Sequence, residues 1–218
     1  MQKPKKNRLV LAILFIVPLI FYLFLSSGIN NFAKLPVVTQ NILDVSEIDS
    51  TKTVSFKNKI SIVCFLGNES QSVKGAFFNL NQKIYKPFYG FKDFQIVAIY
   101  PKKKKADIEK LASEIGAFTN MIKWKFVPAS EEEINIIFKS FKTNLTLDEN
   151  LYSSKAFIVD KDVKLRGRLD DEDTVGNKLF GYNLESVAAL NDKMKDDIKV
   201  VLAEYRLALK KNDADREI

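Results

Sequence analysis

The stretch Lys59–Leu66, Lys-Ile-Ser-Ile-Val-Cys-Phe-Leu, is a short apolar run that ends at Gly67-Asn68. A run of this length is typical of a β-strand that is buried on both faces. Ser70 follows the turn and is a favourable N-cap for a helix that continues to about Tyr85, ahead of Pro87. The stretch therefore predicts a strand–turn–helix unit at the start of an α/β domain.

The alternation of strands and helices continues along the chain. Further apolar runs predict strands at 94–100 and 124–127 and a hairpin from 156–160 and 164–168. Apolar residues at three-to-four spacing predict helices at 107–118, 131–141 and 187–209. The order β-α-β-α-β-α-β-β-α predicts a parallel sheet covered by helices, followed by a hairpin and a terminal helix. This is the thioredoxin-like arrangement.

The composition excludes several classes of active site. The 218 residues include 34 Lys and Arg, 27 Asp and Glu, one Cys and no His. Without His, the chain lacks the usual general base near neutral pH, and Ser-His-Asp and Cys-His catalysis are excluded. A single Cys excludes an intrachain disulfide and a CxxC redox pair. We therefore expect a protein that is not an enzyme.

The N-terminal segment predicts a membrane anchor. Leu9–Leu25 has no charged residue for 17 positions, and Lys3, Lys5, Lys6 and Arg8 precede it. Extended by the following residues to 28, the helix approaches the length that a bilayer requires, and the basic cluster predicts a cytoplasmic N-terminus. The body would then be extracytoplasmic, in the periplasm of a bacterium. A cleaved signal peptide and a buried core helix are the alternative interpretations.

These patterns predict five segments. Residues 1–8 would form a cytoplasmic basic tail, 9–28 the anchor, 29–54 a stalk and entry segment, 55–211 the thioredoxin-like domain and 212–218 a polar tail. Most of the net charge of +7 lies in the basic tail, so the remainder is an ordinary solubility charge.

A family resemblance appears in the predicted hairpin. Ser153–Arg168, Ser-Ser-Lys-Ala-Phe-Ile-Val-Asp-Lys-Asp-Val-Lys-Leu-Arg-Gly-Arg, resembles the HSxxFxxxD-x-x-G-x-x-RG segment of the SCO/SenC proteins. Those are thioredoxin-fold copper chaperones for cytochrome oxidase assembly, displayed on a single N-terminal anchor. The strand and helix of 60–75 agree with this resemblance, and 179–211 resembles a divergent subgroup found in Bacteroidetes-type bacteria.

The departures from that family determine the expected function. SCO proteins hold copper with a CxxxC pair and a distant His, and the resemblance places Asn68, Ser72 and Tyr152 at those three positions. None of these side chains supplies the thiolate or imidazole that selects copper. Thiol–disulfide exchange is excluded for the same reason, because it needs a thiolate and a second sulfur. The sequence predicts no catalytic residue, no metal ligand and no cofactor.

Three other features have a functional and a structural interpretation. Cys64 is expected to be a small buried hydrophobic residue, with a thiol-dependent redox protein as the alternative. A cluster of four consecutive lysines is expected to be either a solvated loop or a contact for an anion or a lipid. Its members are Lys102, Lys103, Lys104 and Lys105. The acidic run 170–173 is expected to be a solvated turn that pairs with Arg166 and Arg168 rather than a metal site.

The predicted function is that of a binding module. The sequence indicates a degenerate, membrane-tethered thioredoxin-like protein that acts as an interaction or assembly module in the cell envelope. We expect two partners, the lipid bilayer through 9–28 and an unidentified envelope protein. Nucleic acid is not expected, because the lysines lack a glycine-rich cradle and interleaved aromatic residues.

Overall fold

The computed structural model describes residues 5–26, 34–49, 51–67 and 71–214 and divides the chain into two units, Met1–Ala33 and Lys34–Ile218. Helix α1, Lys5–Ser26, is the described part of the first unit and contains Pro18. Over the described ranges, no helix combines the length and the apolar character needed to cross a membrane. The membrane span at 9–28 therefore stays a prediction.

The second unit is built on a seven-stranded mixed sheet. Its strands are β1 (Val37–Thr39), β2 (Ile60–Leu66), β3 (Phe94–Pro101), β4 (Trp124–Ala129), β5 (Tyr152–Val159), β6 (Leu165–Arg166) and β7 (Tyr182–Asn183). The strand order is β1-β6-β5-β2-β3-β4, and β7 pairs with β5. β2, β3 and β4 are parallel, whereas β5, β6, β1 and β7 pair in antiparallel fashion. The sheet thus combines the predicted parallel strands with the predicted hairpin.

Helices cover both faces of the sheet. Their bounds are α2 (Gln71–Leu80), α3 (Lys86–Phe88), α4 (Lys105–Gly116), α5 (Glu131–Ser140) and α6 (Lys195–Ala214). Two π-helical segments, Asn81–Tyr85 and Ala189–Met194, lie before α3 and α6, and 3-10 turns occur at Val45–Glu47 and Lys102–Lys104. α5 begins at a capping box, in which Ser130 and Glu133 each bond the other's backbone N–H.

β2 divides the core into two layers. Ile62 and Cys64 face the layer that contains residues of α2, α4 and α6, whereas Val63 and Phe65 face the layer that contains residues of α5. All seven residues of β2 are buried. A strand between two helical layers is buried on both faces, which explains why β2 is apolar at every position except Ser61.

Residues 34–49 and 51–54, from the segment predicted to be a stalk, pack on this domain instead. Val45 is fully buried, and β1 forms one edge of the sheet by pairing with β6. Asp44 accepts hydrogen bonds from the backbone N–H groups of Ser46, Phe56 and Lys57 at 2.9–3.2 Å. These side-chain bonds organise turns that have neither helical nor strand periodicity, so sequence periodicity did not reveal a folded segment.

Candidate functional site

The candidate site lies at the carboxyl edge of the parallel strands, where β2 ends. Gly67 has φ +56°, and a Cβ atom there would lie 2.6 Å from the carbonyl oxygen of Asn150 and 2.7 Å from Tyr152. Tyr152 begins β5 and lies opposite Leu66 in the antiparallel pairing. Only glycine permits this close approach at a left-handed backbone position. The end of β2 and the start of β5 therefore meet directly.

The structure describes the three predicted positions to different extents. Tyr152 lies beside Gly67, which precedes Asn68 in the chain. Asn68 is outside the described residues, and Ser72 is in the first turn of α2 without a described side chain. The structure thus brings Tyr152 to Gly67, directly after the end of β2. The joint site of Asn68, Ser72 and Tyr152 stays a prediction.

Tyr152 is a protonated phenol in a half-buried position. Its hydroxyl donates to Oε1 of Glu185 at 3.4 Å. Burial raises the pKa of Tyr152, and the negative charge of Glu185 raises it further. The side chain therefore acts as a neutral hydrogen-bond donor rather than as an anionic ligand.

A cavity of about 360 Å³ opens beside Tyr152 and is lined by residues 144–148 and 152–155. Asp148 holds the turn between these segments, since its Oδ1 accepts from the backbone N–H groups of Asn150 and Tyr152, each at 2.8 Å. The lining side chains carry hydroxyl, amide, carboxylate and ammonium groups, with neither sulfur nor imidazole. This donor set does not fit copper, which prefers thiolate and imidazole ligands.

Cys64 lies away from this edge, in the interior of the sheet. It is fully buried, and its thiol lies 3.8 Å from the carbonyl oxygen of Val97, to which it donates. Burial raises the pKa of the Cys64 thiol to about 12. The thiol is therefore protonated at neutral pH, in agreement with the expectation of a small buried residue.

The lysines 102–105 are each paired with a carboxylate. Lys102 lies 3.2 Å from Glu133, Lys104 lies 3.4 Å from Asp107 and Lys105 lies 3.8 Å from Glu109. Lys103 pairs with Glu131 at the start of α5. An anion would have to compete with these partners, and the proposed contact at the cluster stays a prediction.

The acidic run 170–173 is held by basic side chains. Nζ of Lys193 lies 2.8 Å from Asp171 and 2.7 Å from Asp173, and Arg168 lies 3.9 Å from Asp171. Burial raises the pKa of Asp171, but hydrogen bonds from Lys193 and Thr174 outweigh that effect, and its pKa is lowered. Within the described part of the chain, no group of three or more Cys, Asp or Glu side chains is arranged to hold a metal ion.

Arg166 does not pair with the acidic run. It is almost fully buried and bonds Oδ2 of Asp160 at 2.9 Å, Oε2 of Glu204 at 2.6 Å and the carbonyl oxygen of Leu35 at 2.8 Å. Sequence reasoning missed this cluster because its members are far apart in the chain. The sequence signal that could have indicated this cluster is a charged residue, Arg166, that directly follows the apolar Leu165 in a short strand.

No protein-family model and no curated protein matches the chain. Among solved structures, it is similar to BsSco, a member of the Sco family of cytochrome c oxidase assembly proteins. The TM-score is 0.52 and the identity 16%, over 78% of this chain and 98% of that chain. An SCO1/SenC family lipoprotein from Bacillus anthracis has a TM-score of 0.46 and 18% identity, over 79% of this chain and 99% of that chain.

A thiol:disulfide interchange protein from Bacteroides sp. has a TM-score of 0.45 and 17% identity, over 76% of this chain and 90% of that chain. At such identities a structural match establishes the fold alone, and function has to be argued from the site. The match to BsSco, at a TM-score of 0.52, supports a shared fold over 78% of this chain. The chain is therefore an SCO-like protein in the sense of its fold, which is thioredoxin-like.

Proposed function

We propose that this protein is an exported, membrane-tethered thioredoxin-like domain that works without thiol or copper chemistry. Its role would be that of an interaction or assembly module in the cell envelope. The observation that carries the proposal is the position of Cys64. The only cysteine of the chain is fully buried in the central strand β2, and burial raises the pKa of its thiol to about 12.

A buried, protonated thiol is unsuited to redox chemistry. Thiol–disulfide exchange requires an accessible thiolate and a second sulfur, and the chain contains no second cysteine. Copper transfer requires soft or imidazole ligands, which the cavity beside Tyr152 does not supply. These facts support loss of the family chemistry and disfavour a redox protein that uses Cys64.

The carboxyl edge retains features that suit contact with a partner. The cavity beside Tyr152 is lined by polar and apolar side chains, and Asp148 holds the turn at its wall by hydrogen bonds to the backbone of Asn150 and Tyr152. Ligand-binding sites in α/β sheets lie at this edge of the strands. We infer that an envelope protein contacts this edge through hydrogen bonds to groups such as the Tyr152 hydroxyl.

The proposed tether is α1. From Val10 to Phe24, the large apolar side chains of this helix are each at least 50% exposed. Contiguous exposed apolar surface of this kind needs a covering, and a lipid bilayer provides one. Lys3, Lys5, Lys6 and Arg8 precede the apolar run and support a cytoplasmic N-terminus, which places the domain outside the cytoplasm.

Alkylation of Cys64 tests the absence of thiol chemistry. We expect a maleimide to react with the native chain at least about 100-fold more slowly than with the urea-unfolded chain, because the thiol is buried and protonated. A copper titration should show no tight site. Rapid alkylation of the native protein, or stoichiometric copper binding, would contradict the proposal.

A pull-down from membranes tests the interaction role. The full chain should enrich a specific envelope protein over a control that carries residues 1–33 alone. The double variant Tyr152→Ala, Glu185→Ala should reduce that enrichment, whereas Ile136→Ala, at an exposed position on α5, should not. The scaffold role fails if the full chain and the control capture the same proteins.

A further inference from the structure

Exposed apolar side chains gather at the amino edge of the parallel strands, opposite the candidate site. Tyr89 and Phe91 precede β3 and are 47% and 46% exposed. Phe118 and Ile122 precede β4 and are 77% and 67% exposed. Both loops enter parallel strands of the same sheet, so their tips lie at one edge of the domain.

Hydrogen bonds join the two loops into one surface. The Tyr85 hydroxyl donates to the carbonyl oxygen of Asn120 at 2.6 Å and accepts from the backbone N–H of Lys123 at 3.2 Å. Nζ of Lys123 donates to the carbonyl oxygen of Phe91. We call this surface the amino-edge face and define it by Tyr89, Phe91, Lys92, Phe118, Ile122, Lys123 and Lys125.

The amino-edge face is positively charged. Asp93 is the only acidic residue within 89–93 and 118–125, and it already pairs with Lys59 at 3.7 Å and with Lys161. Among the described residues, no carboxylate lies within 4 Å of the ammonium groups of Lys92, Lys123 or Lys125. The face therefore offers positive charge to an anionic surface.

Burial, the largest effect, and the nearby charge of Lys59 lower the pKa of Lys123, while the negative charge of Asp93 opposes them in part. Both effects disfavour its charged form, and an anionic group placed against the face would relieve the repulsion between the two lysines. The electrostatics of the face thus match an anionic ligand.

Aromatic and aliphatic tips interleaved with lysines are characteristic of surfaces that lie in the interface of a membrane. The rings enter the boundary between head groups and acyl chains, while long basic side chains extend to lipid phosphates. The choice of a bilayer as the anionic surface rests on the membrane tether proposed above.

We propose that the amino-edge face docks on an anionic lipid surface. The occupant is the phosphate-bearing head-group layer, contacted by Lys92, Lys123 and Lys125, with Phe91, Phe118 and Ile122 inserted at its boundary. Parallel strands of six to eight residues separate the two sheet edges by about 20 Å. Docking would therefore direct the cavity beside Tyr152 away from the membrane, towards an envelope partner.

Hydrogen exchange of the full chain tests this proposal. The chain would be reconstituted in vesicles of phosphatidylcholine alone and in vesicles with about 30% phosphatidylglycerol. Amides of 88–93 and 117–125 should exchange at least about fivefold more slowly in the anionic vesicles. The variant Phe91→Ser, Lys92→Glu should remove the difference. The matched control Ile136→Ser, Lys139→Glu, on α5, should retain it.

Each other outcome is informative. Equal exchange in the two kinds of vesicle overturns lipid docking, as does loss of the difference in the control variant. If the protection of these amides in detergent increases with protein concentration, the face is a contact between copies of the chain. That result would overturn the lipid assignment. Carbonate extraction of the vesicles tests the membrane tether separately. If the wash releases the chain, the proposed tether is wrong, whereas the exchange difference still decides whether the amino-edge face docks on lipid.

Discussion

Gly67 determines how closely two strands approach at the candidate site. Its φ of +56° turns the chain out of β2, and the missing side chain leaves room for the backbone of Asn150 and Tyr152. A glycine after an apolar strand is visible in the sequence, but the contact it permits involves residues more than 80 positions away. The position of Tyr152 beside the turn therefore depends on one residue that has no side chain.

We predict that Gly67→Ala destabilises the domain by about 2 kcal/mol or more, because its Cβ would lie 2.6 Å from the Asn150 carbonyl oxygen in a left-handed backbone conformation. The matched control is Gly75→Ala in α2, where an added Cβ has no neighbour within 4 Å. That change should be neutral or stabilise the helix by up to about 1 kcal/mol. Urea unfolding of the full chain in detergent, followed by Trp124 fluorescence, measures both. Equal effects of the two substitutions would contradict the assigned role of Gly67.

At the scale of secondary-structure elements, Arg166 joins three segments that are distant in sequence. Its guanidinium bonds Asp160 at the end of β5, Glu204 in α6 and the backbone of Leu35 ahead of β1. Glu204 also accepts from the N–H of Leu35 at 2.8 Å. The cluster therefore fixes the edge of the sheet to the terminal helix, through charges that have little access to water.

Replacing Arg166 by Met should destabilise the domain by about 3–5 kcal/mol, because Asp160 would keep a buried charge without its partner. Arg206→Met, at an exposed position two residues after Glu204 in α6, should change stability by less than about 0.5 kcal/mol. Urea unfolding gives the two free energies, and hydrogen exchange of 35–39 should accelerate only in Arg166→Met. A cost for Arg166→Met as small as that for Arg206→Met would show that the cluster contributes little.

The elements with regular periodicity could be predicted from the sequence, and those held by distant contacts could not. The central strands, α4 and α5 follow from apolar spacing to within a few residues, and the predicted helix 187–209 spans the π-helical segment Ala189–Met194 and most of α6. β1 and β7 have three and two residues and depend on partners across the sheet, so no local pattern indicates them. At the candidate site, the sequence alone shows one Cys and no His, whereas the contact of Tyr152 with Glu185 and the cavity required the fold.

At the scale of the whole molecule, the pH dependence of stability is determined by buried and paired carboxylates, because the chain has no His. The pKa lies below its ordinary value for Asp44, Asp49, Asp93, Glu133 and Asp171. For Asp93 and Glu133 the largest cause is a hydrogen bond, from Lys161 and from the backbone N–H of Ser130. For the other three, burial is the largest effect and raises the pKa, but hydrogen bonds together outweigh it.

These shifts predict acid-sensitive stability. A lowered pKa in the folded state contributes stability above the unfolded pKa, near 4, and that stability is lost as the pH falls through the folded pKa. The free energy of unfolding should therefore be nearly constant between about pH 5 and 8, where His would otherwise titrate, and fall by at least about 1 kcal/mol between pH 5 and pH 3. Urea unfolding at several pH values measures the profile. Asp44→Asn should flatten the acid limb, and Glu172→Gln, at an exposed position, should not. A steep change between pH 6 and 7 in the unmodified chain would contradict this account.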